Sequence, residues 1–480
     1  MLHYGTMEPA LQSVSHQEKL RRVQTAMRSF FDEGKQVRVY HGGTNCTRPY
    51  QRNRTTSVDI SDFTEILAVD REGLSAWVEP NVPMKSLVDG LLPHGVMPPV
   101  VMELRSITVG GGIQGGAGES SSFRYGPFHD NCLAFEVLLG NGDIVIASPD
   151  QHPDLFYGLP CTYGTVGIIT AAKLSLIPAK PYVRLRYDRV ASHREMIART
   201  EEASANASID FIDGIMFAPE MGVLMTGRLT DDPGTLPLQQ TLRARDDWFY
   251  LQAERIMQRH SSFETTIPIR DYFFRYNRAA FWTGRYGFDL LRLPFVRPLR
   301  FLLAPIFKTR ILYRLLHLTG LSQRYLIQDC SMPQDRTLPF LEYLDREVGI
   351  YPLWICPLLP PKTAKDATYG FLDTPLMINI GVWGEKHLPH DEFVELNRQL
   401  EAEVSRLKGC KVLYAHSYYT REEFWGIYRQ DMYEKLRTRA HAKTVFPDIY
   451  DKIVVKSKVR PSIFRGLVRG LLPPYRLPLK

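Results

Sequence analysis

The sequence has few cysteines and no long apolar run. Its N-terminus also lacks the basic start and apolar run of a signal peptide. No uninterrupted stretch reaches 18 apolar residues, so we expect no transmembrane helix. The six cysteines show no C-x-x-C spacing and are Cys46, Cys132, Cys161, Cys330, Cys356 and Cys410. This pattern predicts a reducing compartment, with neither a disulfide framework nor a metal site.

Acidic residues are missing from the end of the chain. Between Lys456 and Lys480 there are seven Lys or Arg and no acid, whereas the remainder carries 52 charges of each sign. The net charge of +7 therefore belongs to this tail. Its interspersed Leu, Ile and Phe residues suit an anionic membrane surface, and a solvated C-terminus is the alternative. No nucleic-acid-binding fold accompanies the charge, so we expect no nucleic-acid partner.

A second basic segment spans Arg285–Arg324, with eight Arg or Lys and a single Asp among many Leu, Phe and Ile residues. Pro294, Pro298 and Pro305 exclude one long helix. A broken, basic and amphipathic pattern is typical of a segment that lies in a membrane interface. The alternative is a pair of basic helices packed on the second domain.

Residues 15–181 and 182–455 differ in pattern, and Pro178 and Pro181 mark the change. In the first region, apolar spacing predicts a helix over 15–34, and the Asn141-Gly142 pair predicts a hairpin of strands 134–139 and 143–147. The pattern of the second region predicts an α+β domain. Its strands are expected at 183–187, 214–217, 222–226 and 376–382, and its helices at 238–260, 391–407 and 421–438.

The most unusual segment is the Gly/Ser run from Val109 to Gly126. Gly110–Gly115 fits the pattern G-x-G-x-x-G, and Glu136 stands where a dinucleotide-binding fold would place the acidic residue that binds the ribose. However, Gly116 and Gly118 follow, and each Gly costs a helix about 1 kcal/mol relative to Ala. We therefore expect an extended segment with exposed backbone. This segment and the turn His41–Thr47 could bind a long nucleotide from two sides. The alternative is that both are ordinary tight turns.

Several short motifs resemble the FAD-binding domain of the vanillyl-alcohol oxidase and p-cresol methylhydroxylase (PCMH) group. They are His41-Gly-Gly-Thr-Asn45, Thr108-Val-Gly-Gly111, Tyr125-Gly126, Glu136-Val137, Asn141-Gly142 and Gly164-Thr-Val-Gly-Ile168. Four more specific runs resemble the Δ24-sterol reductase (seladin) family: GESSS at 118–122, DLFY at 154–157, IPAK at 177–180 and REEFW at 421–425.

The resemblance implies an α+β fold with a two-subdomain, PCMH-type FAD-binding domain over 15–181 and a substrate (cap) domain over 182–455. An extension (1–14) and the basic tail (456–480) flank them. FAD would be non-covalent, because Thr44-Asn45 stands where the covalent members of the group have a His. By resemblance, the cofactor-binding residues are Gly42, Gly43, Thr44, Asn45, Thr47, Ser106, Thr108, Val109, Gly110, Gly111, Gly112, Gly115, Gly116, Gly118, Ser120, Ser121, Tyr125, Gly126, Gly164, Thr165, Gly167 and Ile168.

The implied reaction is reduction of an isolated C=C bond of a sterol or terpenoid lipid by NADPH through the flavin. Such a reaction needs an acid in a dry pocket. The candidates are Glu119, Tyr418 and Tyr433, while Lys435 could stabilise an anionic flavin. Each has a structural alternative. Glu119 could be a carboxylate that fixes its loop, the two tyrosines could be core aromatics, and Lys435 could lie on a solvated helix face. Candidate pocket walls are Arg270, Tyr272 and Trp354.

Two other functions remain open at this point. The chain could be an FAD-dependent oxidase or dehydrogenase of a terpenoid or alcohol, or a lipid-binding protein with a vestigial flavin domain. Whether the chain is a reductase or an oxidase, the resemblance and the basic segments imply one of two locations. The protein would lie peripherally on the cytoplasmic face of the endoplasmic reticulum, or it would be cytoplasmic.

Overall fold

The computed structural model describes residues 8–42, 56–362, 374–455 and 462. The fold is α+β, with one sheet in the first region and a larger one in the second. None of the helices in the described ranges is long and apolar enough to span a bilayer. Across the same ranges, no cluster of three or more His, Cys, Asp or Glu side chains could hold a metal ion.

The first region builds a five-stranded sheet in the order β3-β4-β8-β6-β7, in which all neighbours are antiparallel. A short parallel pair, β1-β2, and a two-residue pair, β5-β9, lie outside it. The elements are α1 (Val14–Asp32), β1 (Arg38–Tyr40), β2 (Ser57–Asp59), β3 (Ile66–Asp70), β4 (Ser75–Val78), α2 (Met84–Leu91), β5 (Val96–Met97), α3 (Val109–Gly115), α4 (Ser122–Tyr125), β6 (Cys132–Leu138), β7 (Ile144–Ala147), α5 (Pro153–Gly158), β8 (Ile168–Ser175) and β9 (Ile177–Pro178).

Helix α1 confirms the prediction from apolar spacing. It begins at Ser13, whose hydroxyl accepts from the His16 N–H, and it buries His16, Leu20, Val23 and Met27 along one face. The His16 ring joins the helix to the sheet, with Nδ1 2.8 Å from Glu79 Oε1 and Nε2 2.9 Å from Glu136 Oε1. Glu136 is therefore an ion-pair partner of α1.

The Gly/Ser run is not extended, and this corrects the expectation from its glycines. Residues Val109–Gly115 form α3, which the Thr108 hydroxyl caps by accepting from the Gly111 N–H. The glycines permit close packing, since a Cβ on Gly110 would lie 2.8 Å from Pro80. Tertiary contacts thus outweigh the weak helix propensity. The helix ends at Gly116 in the left-handed conformation (φ +62°), so it is too short for a dinucleotide-fold helix.

The second region builds an eight-stranded antiparallel sheet in the order β13-β10-β12-β11-β15-β16-β14-β17. Its elements are β10 (Tyr182–Val190), α6 (His193–Ser204), β11 (Phe211–Ala218), β12 (Met221–Thr230), α7 (Phe249–Arg259), β13 (Ser262–Pro268), α8 (Ile269–Phe273), α9 (Gly284–Leu290), α10 (Arg297–Leu302), α11 (Thr309–Thr319), β14 (Tyr325–Pro333), α12 (Gln334–Tyr343), β15 (Leu353–Leu358), β16 (Met377–Glu385), α13 (His390–Arg406), β17 (Cys410–Lys411), α14 (Arg421–Ile427), α15 (Gln430–Arg439) and α16 (Ile449–Ile453).

Two helix predictions in this region were wrong in extent. The helix expected over 238–260 begins only at Phe249, because Leu238 pairs with Thr266 and the Thr241 N–H donates to Asp271. The helix expected over 421–438 is divided into α14 and α15 at Tyr428, which has extended backbone. The basic segment is broken into α9, α10 and α11, as its prolines predicted.

The chain returns to the first region after β17. The Gly140 N–H donates to the Ala440 carbonyl at 2.9 Å, and the Val37 N–H donates to the Val445 carbonyl at 2.7 Å. The end of the second region thus completes the packing around the first sheet.

Candidate active site

A single cavity of about 2120 Å³ extends from the glycine loops of the first region to the inner face of the second sheet. Helices α9 and α11 supply a third, largely apolar wall. The cavity therefore has a backbone-lined end and an apolar end, as a site for a long cofactor and an apolar substrate requires.

Eleven of the predicted cofactor-binding residues line this cavity: Gly42, Ser106, Thr108, Gly110, Gly111, Gly115, Gly116, Gly118, Gly164, Gly167 and Ile168. Seven do not line it: Val109, Gly112, Ser120, Ser121, Tyr125, Gly126 and Thr165. Gly43, Thr44, Asn45 and Thr47 lie outside the described residues.

The glycine end fits a cofactor that approaches the backbone closely. A Cβ built on Gly115 would meet no protein atom within 4 Å, so that position opens into the cavity. A larger residue there would project into the space, whereas glycine leaves the backbone accessible. Near this end lies His41, whose pKa is lowered to about 4 by burial and by the charge of Lys452. Its imidazole is therefore neutral at pH 7.

The opposite wall is the inner face of three adjacent strands, β14, β15 and β16. Side chains two residues apart face the same side of a strand, and the cavity-lining residues follow that period. They are Tyr325, Ile327, Asp329 and Ser331 of β14, Trp354, Cys356 and Leu358 of β15, and Asn379 and Trp383 of β16; Gly384 also lines the cavity and is the exception to the period. Among the three pocket-wall candidates from sequence, Trp354 lines the cavity, whereas Arg270 and Tyr272 do not.

Asp329 is the acidic group of this sheet face. It accepts hydrogen bonds from the Tyr414 hydroxyl at 2.5 Å and from Asn379 Nδ2 at 3.0 Å. Trp383 Nε1 donates in turn to the Tyr414 oxygen at 3.2 Å. Burial raises the pKa of Asp329 to about 6, against the opposing effect of these donors. At pH 7 it is therefore mainly ionised and held by a fixed set of donors.

Glu103 is a second carboxyl in the cavity wall, from the loop before α3. Burial raises its pKa to about 8, and the nearby charges of Glu119 and Asp329 contribute. At pH 7 Glu103 therefore retains its proton while Asp329 has lost its own. Two acids whose environments separate their pKa values are typical of an acid-base site.

The chain matches known proteins over most of its length. An FAD-binding-domain family model matches residues 14–148. The chain is 30% identical over 449 residues to the Δ24-sterol reductase of Homo sapiens, covering 91% of this chain and 86% of that protein. The chain belongs to the Δ24-sterol reductase family. It is 30% identical to the family member of Pisum sativum over 444 residues (84% and 77% of the two chains) and 28% identical to a Caenorhabditis elegans homologue over 467 residues (92% and 87%).

With its FAD-binding domain and its Δ24-sterol reductase relatives, the chain is an FAD-dependent oxidoreductase. The family motif GESSS contains Glu119, which is buried and does not line the cavity. Its carboxylate accepts from the Ser120 N–H, and its Oε2 lies 3.6 Å from Arg275 Nη2, which pairs with Asp213 at 3.1 Å. The Ile212 N–H donates to the Ser120 carbonyl. Glu119 thus fixes the loop against the second sheet.

The other three catalytic candidates from the family resemblance also lie outside the cavity lining. The Tyr433 hydroxyl donates to Thr165 Oγ1 at 2.8 Å and joins α15 to the first region. Tyr418 is buried and its N–H donates to Glu401, while Lys435 is exposed on α15.

The sequence motifs of the family did not point to Glu103, Asp329 or Tyr414. The one available signal was an acid inside the apolar stretch 96–104. Asp329 and Tyr414 are 85 residues apart and become neighbours only through the pairing of β14 with β17.

Proposed function

We propose that this protein reduces the isolated C=C bond of a Δ24-unsaturated sterol, or of a related terpenoid lipid, with NADPH as electron donor. The observation that carries the proposal is the continuous cavity, which joins the glycine loops to a mainly apolar chamber. The names of the relatives support the sterol as substrate.

The residues that would hold FAD are the cavity-lining backbone groups around Gly42, Thr108–Gly111, Gly115–Gly118 and Gly164–Ile168. The chemistry that FAD supplies when bound is hydride transfer from a nicotinamide to an alkene carbon. We propose non-covalent binding, because no His follows the early Gly pair in the sequence.

The apolar wall would orient the lipid and exclude water. Trp354, Phe281 and Phe307 line the chamber together with leucines and isoleucines of α11. Proton donation to one carbon of an isolated alkene generates carbocation character on the other carbon, which the hydride then receives, and a dry chamber prevents water from capturing the cation. The sheet face around Asp329 contributes polar groups to the same cavity.

We propose Glu103 as the proton donor to the alkene carbon that does not receive the hydride. It lines the cavity and retains its proton at pH 7, whereas Glu119, one of the donor candidates from sequence, is enclosed behind the loop. Asp329, ionised and held by Tyr414 and Asn379, would stabilise the developing positive charge on the alkene.

The reaction is tested anaerobically. NADPH should bleach the flavin of the purified protein, and a Δ24-unsaturated sterol such as desmosterol should restore its colour. Bleaching without reoxidation would contradict the sterol assignment. Oxygen consumption with an alcohol substrate and no NADPH would favour the oxidase alternative, and a protein that binds no added FAD would favour a vestigial flavin domain.

The proton donor is tested by Glu103→Gln, with Glu119→Gln as the comparison. Glu103→Gln should leave bleaching by NADPH unchanged and slow reoxidation by the sterol about 100-fold or more. Only protonated Glu103 can donate, so the wild-type reoxidation rate should fall as pH rises through about 8. An unchanged pH profile in Glu103→Gln would contradict the assignment.

We also propose that the protein associates peripherally with an internal membrane, at the cytoplasmic face of the endoplasmic reticulum. The broken basic segment 285–324 supports this, since it carries eight basic residues and one acid.

A further inference from the structure

The segment from α9 to α11 combines three properties on one surface. Its exposed apolar residues, its exposed basic residues and its contribution to the cavity wall all fall between 285 and 319. We name the portal surface by its exposed members, which are Leu291, Arg292, Val296, Arg297, Phe301, Leu302, Lys308 and Leu318.

Exposed large apolar residues concentrate here. Five of the nine in the described ranges belong to the portal surface, and Leu302 and Phe301 are 70% and 55% exposed. A soluble surface rarely gathers such residues within one short segment. The helix α10, which carries both, has no buried residue at all.

The positive charge of the portal surface indicates an anionic partner. Arg292, Arg297 and Lys308 are exposed around the apolar residues, and Asp289 is the single acid between 285 and 324. Arg300 is excluded from this set because its guanidinium pairs with Asp247 at 2.7 Å. Basic side chains around exposed aliphatic and aromatic ones fit an anionic phospholipid bilayer.

The cavity reaches this surface. Leu291 and Leu318 both line the cavity, yet they are 45% and 39% exposed. Each therefore belongs both to the surface and to the cavity wall, whose lining also includes their neighbours Leu290, Ile311 and Leu315. An apolar molecule could pass along this route without crossing water.

One residue of the C-terminal tail contacts the end of α11. The N–H of Ser462, the one described residue of the tail, donates to the Thr319 carbonyl at the end of α11 at 2.9 Å.

We propose that the portal surface docks on an anionic bilayer and that the lipid substrate passes from the bilayer into the cavity between Leu291 and Leu318. The docking half extends the proposed membrane association to named residues, and the second half also rests on the proposed reaction. The same helices would then serve as the membrane contact and the substrate channel.

Docking is tested by co-sedimentation with vesicles of phosphatidylcholine and phosphatidylserine (7:3) and of phosphatidylcholine alone. The full chain should bind the anionic vesicles at least tenfold more tightly. The double variant Phe301→Asp with Leu302→Asp should lose at least tenfold of that binding, because both side chains are exposed and neither lines the cavity. Leu238→Asp is the matched control, since Leu238 is 56% exposed in another part of the protein. Equal binding by the double variant and the control would overturn the docking surface.

The substrate route is tested with the same variants after reduction by NADPH. Sterol delivered in anionic vesicles should reoxidise the double variant at least tenfold more slowly than the control, and sterol delivered in cyclodextrin should reoxidise both equally. Full reoxidation from vesicles by a variant that no longer binds them would overturn the route. If cyclodextrin-delivered sterol fails to reoxidise the wild type, the proposed reaction and the route both fall, and the sedimentation result still decides the docking surface.

Discussion

Gly115 and Gly116 are adjacent, but substitutions at the two positions should have opposite effects. A Cβ on Gly115 would meet nothing within 4 Å and would face the cavity. Gly115→Leu should therefore leave the apoprotein folded, and removing a helical glycine should raise its unfolding free energy by about 0.5–1 kcal/mol. Its side chain would compete with FAD for space, at a cost of about 1–3 kcal/mol, typical of overpacking. FAD affinity should then fall between about 5-fold and 150-fold.

Gly116→Ala provides the contrast. Gly116 has φ +62°, and a Cβ there would lie 2.7 Å from Cys161 Sγ. The left-handed backbone alone costs a non-glycine residue about 1–2 kcal/mol, so this variant should unfold more easily with or without cofactor. Chemical unfolding of the apoproteins measures stability, and titration with FAD by quenching of flavin fluorescence measures affinity. Wild-type FAD affinity in Gly115→Leu would refute the placement of the cofactor along α3.

Three further predictions concern stability and cofactor release. Burial lowers the pKa of His16, but hydrogen bonds to Glu136 and Glu79 outweigh it and raise the pKa from 6.5 to about 9. The stabilisation by His16 should be complete below pH 6.5 and should disappear as the pH rises through 9, which urea unfolding measures. The variant His16→Gln should lack this pH dependence. A wild type that is equally stable at pH 6.5 and pH 9 would contradict the prediction. Tyr433→Phe should lower the unfolding free energy by about 1–3 kcal/mol, because the buried Ile449 N–H loses its acceptor and Thr165 Oγ1 loses a donor, and an unchanged urea midpoint would count against this. Denaturation followed by filtration should release yellow FAD into the filtrate, and colour retained on the polypeptide would disprove non-covalent binding.

Local signals in the sequence were sufficient for several elements. The Asn141-Gly142 pair predicted the β6-β7 hairpin, and the structure places Gly142 at φ +85° in its turn. The apolar spacing of α1 predicted a helix within two residues of its observed bounds. In both cases the information lies within a few neighbouring residues.

Other features depend on contacts between distant residues. Helix α3 forms despite its glycines because Pro80 and Met102 pack where Cβ atoms would otherwise stand. Likewise, Glu103, Asp329 and Tyr414 come from a loop and two separate parts of the second region, and only the folded chain brings them to one cavity. The motifs therefore pointed to glycine loops that line the cavity, whereas the acidic groups required the tertiary structure.

The return of the chain to its first sheet also has a consequence for the order of synthesis. Val37 and Gly140 find their hydrogen-bond partners only at Val445 and Ala440, and Thr165 finds one at Tyr433. A nascent polypeptide that has emerged only as far as the second sheet still lacks these partners. The flavin-binding half therefore completes these contacts only when nearly the whole protein has been synthesised.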